Sequence, residues 1–502
     1  MSIWSLLAAQ PGDATAFRAE ARAPLTYAGL MDLCRITGAG LRAAGVGPGE
    51  RVAIVLPNGP QAATAFVAVA AAASAAPLNP AYTESEFAYY MTDLGVRCLV
   101  TDDAQGPAAR AAAGAGIPVV LIAAAADDPA GWFTADLPGG GHVDPAGVQP
   151  GDEALVLHTS GTTARPKIVP LSQANVTASA RHIAASLALS PADLGMNIMP
   201  LFHIHGLMAS VLASLAAGAA VHVTPGFNAL KHFEWLDAVR PTWVTAVPTM
   251  HQAILARAAR NRDVLGRVRL RFLRSSSASL PAPVLAALEE TFGCPVVEAY
   301  GMTEAAHQMT ANPLGMARKP GSVGRPAGPE VAILADGAVT AAPGVLGEVV
   351  IRGPNVTAGY AANPAANATA FHDGWFRTGD QGRFDEDGFL FLTGRLKEII
   401  NRGGEKVAPR EVDDVLMDHP AVALAVTFAI PHKSLGEEVG AAIVLKEGAA
   451  ATPDDLRAFA AARLAAFKVP RRVLILDDIP KGATGKMQRI GLAQKLGLGD
   501  EA

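Results

Sequence analysis

The segment His158-Thr-Ser-Gly-Thr-Thr-Ala-Arg-Pro-Lys167 is the most informative stretch of this 502-residue chain. It contains a run of small residues, Thr159, Ser160, Gly161, Thr162 and Thr163. Such residues can direct hydroxyl and backbone N–H groups towards one anion, and the glycine lets the backbone approach it closely. Lys167 adds a point charge that suits a phosphate. The Walker spacing is absent, so the residues alone leave open a phosphate-binding loop or a polar surface turn.

Short apolar runs alternate with helical segments on both sides of this loop. The runs span residues 51–56, 97–101, 117–122, 154–158, 243–247 and 270–274. Continuous apolar runs of this length predict largely parallel strands that are covered by helices on both faces. Beyond about Val323 the runs 331–334, 347–351 and 388–392 are closely spaced, with glycine turns, which predicts a small β unit.

The pattern changes again from Arg395 onward. A helix is predicted over 409–418, strands over 423–430 and 441–446, and a helix over 452–466 with Thr452 as its cap. We therefore predict an α/β fold with two domains. Residues 1–394 form a large N-terminal domain of parallel-rich αβαβα sheets plus the small β unit, and residues 395–502 form a smaller, mobile α+β domain.

Composition excludes several classes of protein. Half of the residues are hydrophobic and 17% are charged, which argues against a disordered chain. The net charge of −5 and the pI of about 6.2 give no basic field for nucleic acid. The three cysteines lie far apart, so we expect neither a disulfide framework nor a zinc site, and we expect a cytoplasmic protein.

Two alanine-rich stretches raise the question of a membrane. Residues 62–76 and 206–221 are shorter than the roughly 20 residues that a membrane-spanning helix needs. We interpret both as buried helices and expect no membrane span. Residues 1–17 have no basic start and are interrupted by Asp13, so we expect no signal peptide.

The loop resembles the phosphate loop of the adenylate-forming superfamily, which comprises acyl-CoA synthetases, peptide-synthetase adenylation domains and luciferases. Further signatures follow in the family's order: Pro200-Leu-Phe-His-Ile-His-Gly206, Tyr300-Gly-Met-Thr-Glu304, Thr378-Gly-Asp380, Gly394-Arg-Leu-Lys-Glu398 and Pro480-Lys-Gly-Ala-Thr-Gly-Lys486. Their order makes a chance match implausible. One departure is Ile168, which stands where the family usually has glycine.

The resemblance implies a reaction in two halves. A carboxylate attacks ATP to give an acyl-adenylate and pyrophosphate, and the thiol of coenzyme A then displaces AMP. ATP and coenzyme A are the implied co-substrates and Mg²⁺ the implied metal. The implied nucleotide contacts are Thr159, Ser160, Gly161, Thr162, Thr163, Lys167, Ala278, Ser279, Glu298, Ala299, Tyr300, Gly301, Met302, Thr303, Asp380 and Arg395.

Particular roles follow from the same resemblance. Thr303 contacts the α-phosphate, Glu304 holds Mg²⁺, Tyr300 faces the adenine, and Asp380 accepts from the ribose hydroxyls with Arg395 nearby. Catalysis of adenylation is assigned to Lys486. A hinge at Lys397 then swings the C-terminal domain and presents the coenzyme A contacts, Arg402, Gly403 and Gly404.

The acid site is predicted to be small and rich in hydroxyl and imidazole groups. The implied contacts are His203, Ser275, Ser277 and His307, with His205 beside the same cavity. Such donors suit a compact, strongly charged acid, because a dianion is costly to desolvate.

Six segments are similar in sequence to the oxalate–CoA ligase branch. They are His203-Ile-His-Gly206, Thr245-Ala-Val-Pro-Thr-Met-His-Gln252, Arg274-Ser-Ser-Ser-Ala-Ser279, Glu298-Ala-Tyr-Gly-Met-Thr-Glu-Ala-Ala-His307, Ile400-Asn-Arg-Gly-Gly-Glu-Lys406 and Ala466-Phe-Lys-Val-Pro470. Malonate and a short monocarboxylate remain possible substrates in place of oxalate. An adenylation module for a carrier protein and a non-catalytic nucleotide-binding protein are two further hypotheses. We expect a monomer or a homodimer.

Overall fold

The computed structural model describes residues 1–138, 141–142, 144–145, 147–159, 166–480 and 488–498. Several predicted site residues lie outside these ranges, namely Ser160, Gly161, Thr162, Thr163 and Lys486. The described residues form four sheets with helices packed around them.

A seven-stranded sheet is built from the first part of the chain. In spatial order its strands are Thr134–Ala135, Val119–Ala123, Cys98–Thr101, Arg51–Val55, Ser74–Pro77, Glu153–His158 and Ile168–Ser172. The inner neighbours run parallel, whereas the outermost pair at each edge is antiparallel. The predicted runs in this region therefore do form largely parallel strands.

A nine-stranded sheet follows a similar plan. Its strands, in spatial order, are Arg325–Pro326, His307–Ala311, Val296–Met302, Phe272–Ser276, Trp243–Ala246, Leu194–Asn197, Ala220–Val223, Thr15–Arg18 and Leu25–Thr26. The strands from Val296–Met302 through Thr15–Arg18 are parallel. The carboxyl ends of parallel strands meet at one edge of a sheet, which is where ligands bind in open α/β folds.

Helices of the N-terminal part surround these two sheets, except Pro364–Ala370, which packs against the small β unit. The α-helices are Ile3–Ala8, Tyr27–Ala43, Pro60–Ala70, Glu84–Leu94, Gly106–Gly114, Gln173–Ser186, Ala213–Ala216, His232–Val239, Pro248–Ala258, Arg262–Arg267, Ala282–Phe292 and Pro364–Ala370, with a π-helix at His205–Leu212 and a 3₁₀ turn at Thr303–Ala305. Helix Pro60–Ala70 packs against strands of both sheets, and its residues 62–70 are all buried. Alanine side chains let it lie close to both layers.

The two alanine-rich stretches are only partly helical, so their prediction as buried helices is partly wrong. Residues 62–76 end in strand Ser74–Pro77, and residues 206–221 run into strand Ala220–Val223. A strand buried on both faces shows the same unbroken apolar run as a buried helix, so periodicity does not separate them. None of the helices in the described ranges combines the length and apolarity that crossing a membrane requires.

The predicted small β unit is an antiparallel sheet of six strands. These are Ala338–Thr340, Glu330–Ala335, Gly347–Arg352, Trp375–Phe384, Phe371–His372 and Leu390–Arg395. Its last strand pairs with its neighbour as far as Arg395, opposite Asp380. The domain boundary after residue 394 stays a prediction.

The C-terminal part has its own five-stranded sheet and its own hydrophobic cores. The strands are Ile400–Arg402, Glu405–Val407, Val422–His432, Gly436–Leu445 and Arg472–Ile475, and the helices are Pro409–Met417, Pro453–Ala461 and Leu492–Lys495, with 3₁₀ turns at Leu396–Glu398 and Ala466–Lys468. Thr452 caps its helix as predicted, but that helix ends at Ala461 rather than at residue 466. A large N-terminal domain and a smaller C-terminal domain are therefore present.

Candidate active site

A cavity of about 550 Å³ opens between the edge of the nine-stranded sheet, the six-stranded sheet and the start of the C-terminal part. Many predicted site residues line it, namely Thr159, Lys167, Ser277, Ala278, Ser279, Ala299, Tyr300, Gly301, Met302, Thr303, Glu304, Asp380, Arg395 and Lys397. These residues come from distant parts of the chain. The fold brings them to one place because several follow the carboxyl ends of adjacent strands.

The two ends of the predicted phosphate loop are held together. The Thr159 N–H donates to the Lys167 carbonyl over 2.9 Å, and the Lys167 N–H donates to Thr159 Oγ1 over 3.2 Å. These bonds extend the antiparallel pairing of His158 with Ile168. Thr159 and Lys167, the residues on either side of the loop, therefore lie next to each other, and both line the cavity.

Lys167 packs against an aromatic residue that the sequence motifs do not indicate, Tyr360. Its Nζ lies 4.2 Å from the ring centroid of Tyr360. Tyr360 Oη in turn donates to Glu304 Oε1 over 2.8 Å. Burial lowers the pKa of Lys167, and the nearby charge of Lys397 lowers it further, whereas Glu304 opposes this shift. Tyr360 thus links the predicted phosphate-binding lysine to the predicted metal ligand.

Glu304 fits the role of a Mg²⁺ ligand. It lies on the 3₁₀ turn Thr303–Ala305, and only 6% of its surface is exposed. Burial raises the pKa of its carboxyl group, although the Tyr360 hydrogen bond and the charges of Arg395 and Lys167 oppose this. A carboxylate buried in this way is stabilised by a divalent cation. Mg²⁺ needs few protein ligands when substrate phosphates and water complete its shell, and the described residues hold no ready-made cluster of metal ligands.

Tyr300 is anchored by Asp380. Its Oη donates to Asp380 Oδ2 over 2.5 Å, and Arg395 Nε donates to Asp380 Oδ1 over 3.0 Å. Burial and the neighbouring carboxylate raise the pKa of Tyr300 well above its ordinary value. The tyrosine ring is therefore fixed in the cavity wall. Because each carboxylate oxygen accepts more than one hydrogen bond, Asp380 retains capacity for another donor.

The backbone is strained at the predicted acid site. Ser277 has a φ of 73° and His307 a φ of 96°, in the left-handed region that side chains other than glycine rarely adopt. Gly301 lies against the backbone of His307, and a Cβ at position 301 would stand 1.4 Å from the His307 carbonyl oxygen. Strain of this kind persists where the surrounding structure enforces it, typically at functional sites.

Two histidines stack behind Ser277. Ser277 Oγ is 3.0 Å from His205 Nδ1, and His205 Nε2 is 2.6 Å from Thr245 Oγ1. The rings of His205 and His307 are stacked, with centroids 4.9 Å apart. Both histidines are buried, and His205 opens the π-helix His205–Leu212. Irregular helices of this type are frequent at functional sites.

Arg274 lies next to these histidines and was not predicted as a site residue. Its guanidinium is 3.4 Å from His205 Nε2, 3.3 Å from His307 Nε2 and 3.1 Å from Gln308 Oε1. The side chain is completely buried and forms no ion pair with any described residue. Desolvation lowers its pKa to about 9. A buried cation without a counter-charge is energetically costly, which points to an anion supplied from elsewhere.

Three further predicted residues, Ser275, His203 and Glu298, do not line the main cavity. Ser275 is buried, and its hydroxyl has no hydrogen-bond partner within the described part of the chain. Its neighbour Ser276, which is not among the predicted acid contacts, is buried and donates to the Ala299 carbonyl. His203 is half-buried, and its Nδ1 accepts from the His205 N–H over 3.3 Å. Glu298 lies outside the main cavity and lines a separate one of about 160 Å³.

The predicted coenzyme A contacts form a tight hairpin turn. Gly403 and Gly404 both have positive φ, 59° and 101°, as a two-residue turn with the right twist requires. Arg402 precedes them and is paired with the buried carboxylate of Glu438 over 2.6 Å. These residues do not line the cavity described above, so their role stays a prediction.

The C-terminal part closes one side of the cavity. Lys397 lies in the 3₁₀ turn Leu396–Glu398 and lines the cavity together with Arg410 and Ile490. Arg489 joins this turn to helix Pro409–Met417, because it pairs with Glu398 at 3.3 Å and with Asp413 at 2.6 Å.

Comparisons with known proteins agree with this site. The AMP-binding enzyme family matches residues 5–361, and the C-terminal domain of AMP-binding enzymes matches residues 411–486. The oxalate–CoA ligase of Arabidopsis thaliana is 45% identical over 492 residues, which cover 96% of this chain and 95% of that protein. The oxalate–CoA ligase of Saccharomyces cerevisiae is 40% identical, with 89% and 86% covered.

Among solved structures, ATP-bound MatB from Rhodopseudomonas palustris superimposes with a TM-score of 0.88 at 28% identity and covers 99% of both chains. The matched family spans well over half of the sequence and includes many of the residues that line the cavity. The chain belongs to the family of AMP-binding enzymes.

Proposed function

We propose that this protein is an ATP-dependent oxalate–CoA ligase, which converts oxalate, ATP and coenzyme A into oxalyl-CoA, AMP and pyrophosphate. Its similarity to the two oxalate–CoA ligases over most of their lengths supports this activity. The carrying observation is the set of buried groups at the acid end of the cavity. Ser277 lines the cavity, and the stacked rings of His205 and His307 lie behind it, next to the buried cation of Arg274.

These groups favour a short and highly charged acid. The two buried rings stack behind Ser277, and we expect them to leave little room there for the chain of a fatty acid. Hydroxyl and imidazole donors, with a buried cation next to them, offset the desolvation of a dianion. An aliphatic monocarboxylate would leave the same polar groups without this compensation, which costs binding free energy.

In the first half-reaction, chain residues hold two anions close together. Thr159 and Lys167 bind the β- and γ-phosphates, and Thr303 contacts the α-phosphate. Tyr300 holds the adenine, and Asp380 and Arg395 hold the ribose. Such positioning and charge neutralisation account for most of the catalysis in phosphoryl chemistry. We propose that Lys486 reaches both the carboxylate of the acid and the α-phosphate of ATP.

Mg²⁺ is part of the proposal, with Glu304 as its protein ligand. When bound there, the ion would neutralise phosphate charge. Glu304→Gln keeps an oxygen that can accept from Tyr360 but removes the negative charge. We expect this variant to fold normally and to need a much higher Mg²⁺ concentration for ATP–pyrophosphate exchange.

In the second half-reaction, the C-terminal domain turns about Lys397 and presents Arg402, Gly403 and Gly404 to coenzyme A. The two glycines allow the backbone to approach the thiol-bearing arm closely. Domain closure of this kind also keeps water from the reactive adenylate.

The products test this proposal. Incubation with oxalate, ATP, Mg²⁺ and coenzyme A should yield oxalyl-CoA, identified by its mass, with one AMP for each thioester. Formation of ADP, or consumption of ATP without a thioester, contradicts the proposal. ATP–pyrophosphate exchange separates it from a non-catalytic nucleotide-binding protein, and transfer to free coenzyme A separates it from a module that serves a carrier protein.

Malonate and short monocarboxylates stay the alternative acids.

The three cysteines are free and buried, which is consistent with the cytoplasm as the proposed compartment. A monomer or homodimer stays our expectation for the oligomeric state.

A further inference from the structure

The side chain of Arg274 ends among hydroxyl, imidazole and amide groups. Its two terminal nitrogens contact His205 Nε2, Thr245 Oγ1, His307 Nε2 and Gln308 Oε1 over 3.1–3.4 Å. The salt bridges of the described residues do not include it, and its Nε has no hydrogen-bond partner among them. The cation thus lies one layer behind the cavity wall, completely out of solvent.

These contacts determine where the two histidines carry their protons. Arginine has only donors, so a nitrogen bonded to it must accept and cannot carry hydrogen. Nε2 of both His205 and His307 therefore accepts from Arg274, as Nε2 of His205 does from Thr245 Oγ1 at 2.6 Å, which leaves Nδ1 of His205 to carry a ring hydrogen. The Nδ1–H of His205 then donates to Ser277 Oγ over 3.0 Å.

This donation fixes the direction of the Ser277 hydroxyl. Because Ser277 Oγ accepts from His205, its own hydrogen is available to a group in the cavity that Ser277 lines. The left-handed φ of Ser277 shows that the surrounding structure enforces this placement. Hydrogen bonds in such a series polarise one another, most strongly when a charged group stands at the end.

We propose that Arg274 is a positioning residue for the acid substrate, which acts through His205 to make Ser277 a donor to the substrate carboxylate. The proposal rests on the proposed function, since it concerns the acid site of the same enzyme. It also concerns specificity. The buried charge of Arg274 attracts a second negative charge on the acid, so its removal weakens binding of a dianion more than that of a monoanion.

Arg274→Met tests the proposal, because it removes the donors and the charge while it keeps much of the apolar bulk. ATP–pyrophosphate exchange would be measured against acid concentration and against ATP concentration, with oxalate and with acetate. We expect the KM for oxalate to rise by about 10-fold or more, because the oxalate carboxylate loses a well-oriented hydrogen-bond donor. The KM for ATP should stay within about twofold, and the KM for acetate should change less than that for oxalate.

A double-mutant cycle with Ser277→Ala distinguishes positioning from a purely structural role. Ser277→Ala should weaken acid binding strongly in the wild-type background and only slightly in the Arg274→Met background. Arg269→Met is the matched control, because Arg269 is exposed and bonds only to backbone carbonyls, and it should change neither KM.

Arg274→Lys provides a second variant if the methionine variant does not fold. Lysine keeps the charge but cannot donate to both histidines in the same geometry, so we expect an intermediate KM for oxalate. An unchanged KM for oxalate in either folded variant, or fully additive effects of Arg274 and Ser277, overturns the inference. Failure of the wild-type enzyme to use oxalate overturns instead the proposed function, and the cycle can then be run with the acid that is used.

Discussion

Tyr360 donates a 2.8 Å hydrogen bond from its Oη to Glu304 Oε1, across 56 positions of sequence. The same tyrosine ring holds the Nζ of Lys167 at 4.2 Å from its centroid. One side chain therefore sets the distance between the proposed Mg²⁺ ligand and the proposed phosphate-binding lysine. Substitution of a residue that orients a metal ligand commonly costs about 10- to 100-fold in metal affinity or activity.

Tyr360→Phe should raise the Mg²⁺ concentration required for half-maximal ATP–pyrophosphate exchange by about 10-fold. Phenylalanine keeps the ring under Lys167 but loses the donor, and the pKa of Glu304, already raised by burial, should rise further. A magnesium titration of the exchange rate measures this. The exposed Tyr89 offers a control, because Tyr89→Phe should leave the titration unchanged. An unaltered magnesium requirement in Tyr360→Phe contradicts the role given to Tyr360.

Glu298 should make stability depend on pH. Only 5% of its surface is exposed, and burial raises the pKa of its carboxyl group from 4.5 to about 7, against the opposing charge of Arg410. A carboxyl group whose pKa is raised on folding stabilises the protein at pH values below its pKa in the unfolded chain. This stabilisation is lost as the pH rises through its pKa in the folded protein. Ionisation of Glu298 should therefore lower the free energy of unfolding by about 3 kcal/mol between roughly pH 4.5 and pH 8.

Glu298→Gln should remove this dependence. The variant should gain stability relative to the wild type as the pH rises from about 5 to 8, measured by urea unfolding at several pH values. The exposed Glu290 serves as the matched control, since Glu290→Gln makes the same chemical change at the surface. A difference between Glu298→Gln and wild type that stays constant over this range shows that Glu298 does not titrate as described.

Lys486→Ala should abolish the first half-reaction and spare the second. Lys486 lies outside the described residues, but Ile490 follows it closely in sequence and lines the cavity. We expect ATP–pyrophosphate exchange to fall by about 100-fold or more, while thioester formation from supplied acyl-adenylate changes little. Lys495→Ala, at an exposed position, should affect neither. Equal loss of both half-reactions refutes the assignment.

Lys397→Pro should have the opposite effect. Proline fixes the backbone within the turn Leu396–Glu398 and so should block the proposed rotation of the C-terminal domain. Adenylation should persist, whereas formation of the thioester should be lost. Lys397→Ala separates the backbone from the side chain, because it removes the charge and leaves the backbone free to turn. If Lys397→Ala loses the thioester step as fully as Lys397→Pro, the hinge interpretation is wrong.

Local patterns are sufficient for much of the fold and for part of the site. The segment 158–167 alone predicts Thr159 and Lys167 as site residues, and both line the cavity. The parallel strands can be predicted because each is a short apolar run between helices. Their exact bounds cannot, since a strand is expected over residues 270–274 where the structure has Phe272–Ser276.

Arg274 and Tyr360 show what local patterns leave out. Arg274 ends a predicted strand, and only the packing of the π-helix His205–Leu212 and of the turn at His307 decides that its side chain points inward. Strands that are buried on both faces carry no alternation from which to read that direction. Tyr360 acts through contacts with residues distant in sequence, and no motif marks it.

We propose above all that the acid site selects oxalate. The most direct test is kcat/KM for thioester formation with oxalate, malonate, acetate and butyrate, measured at equal enzyme concentration with saturating ATP, Mg²⁺ and coenzyme A. We expect the highest value with oxalate, a lower value with malonate and little turnover of the two monocarboxylates. Turnover of butyrate without turnover of oxalate would contradict it.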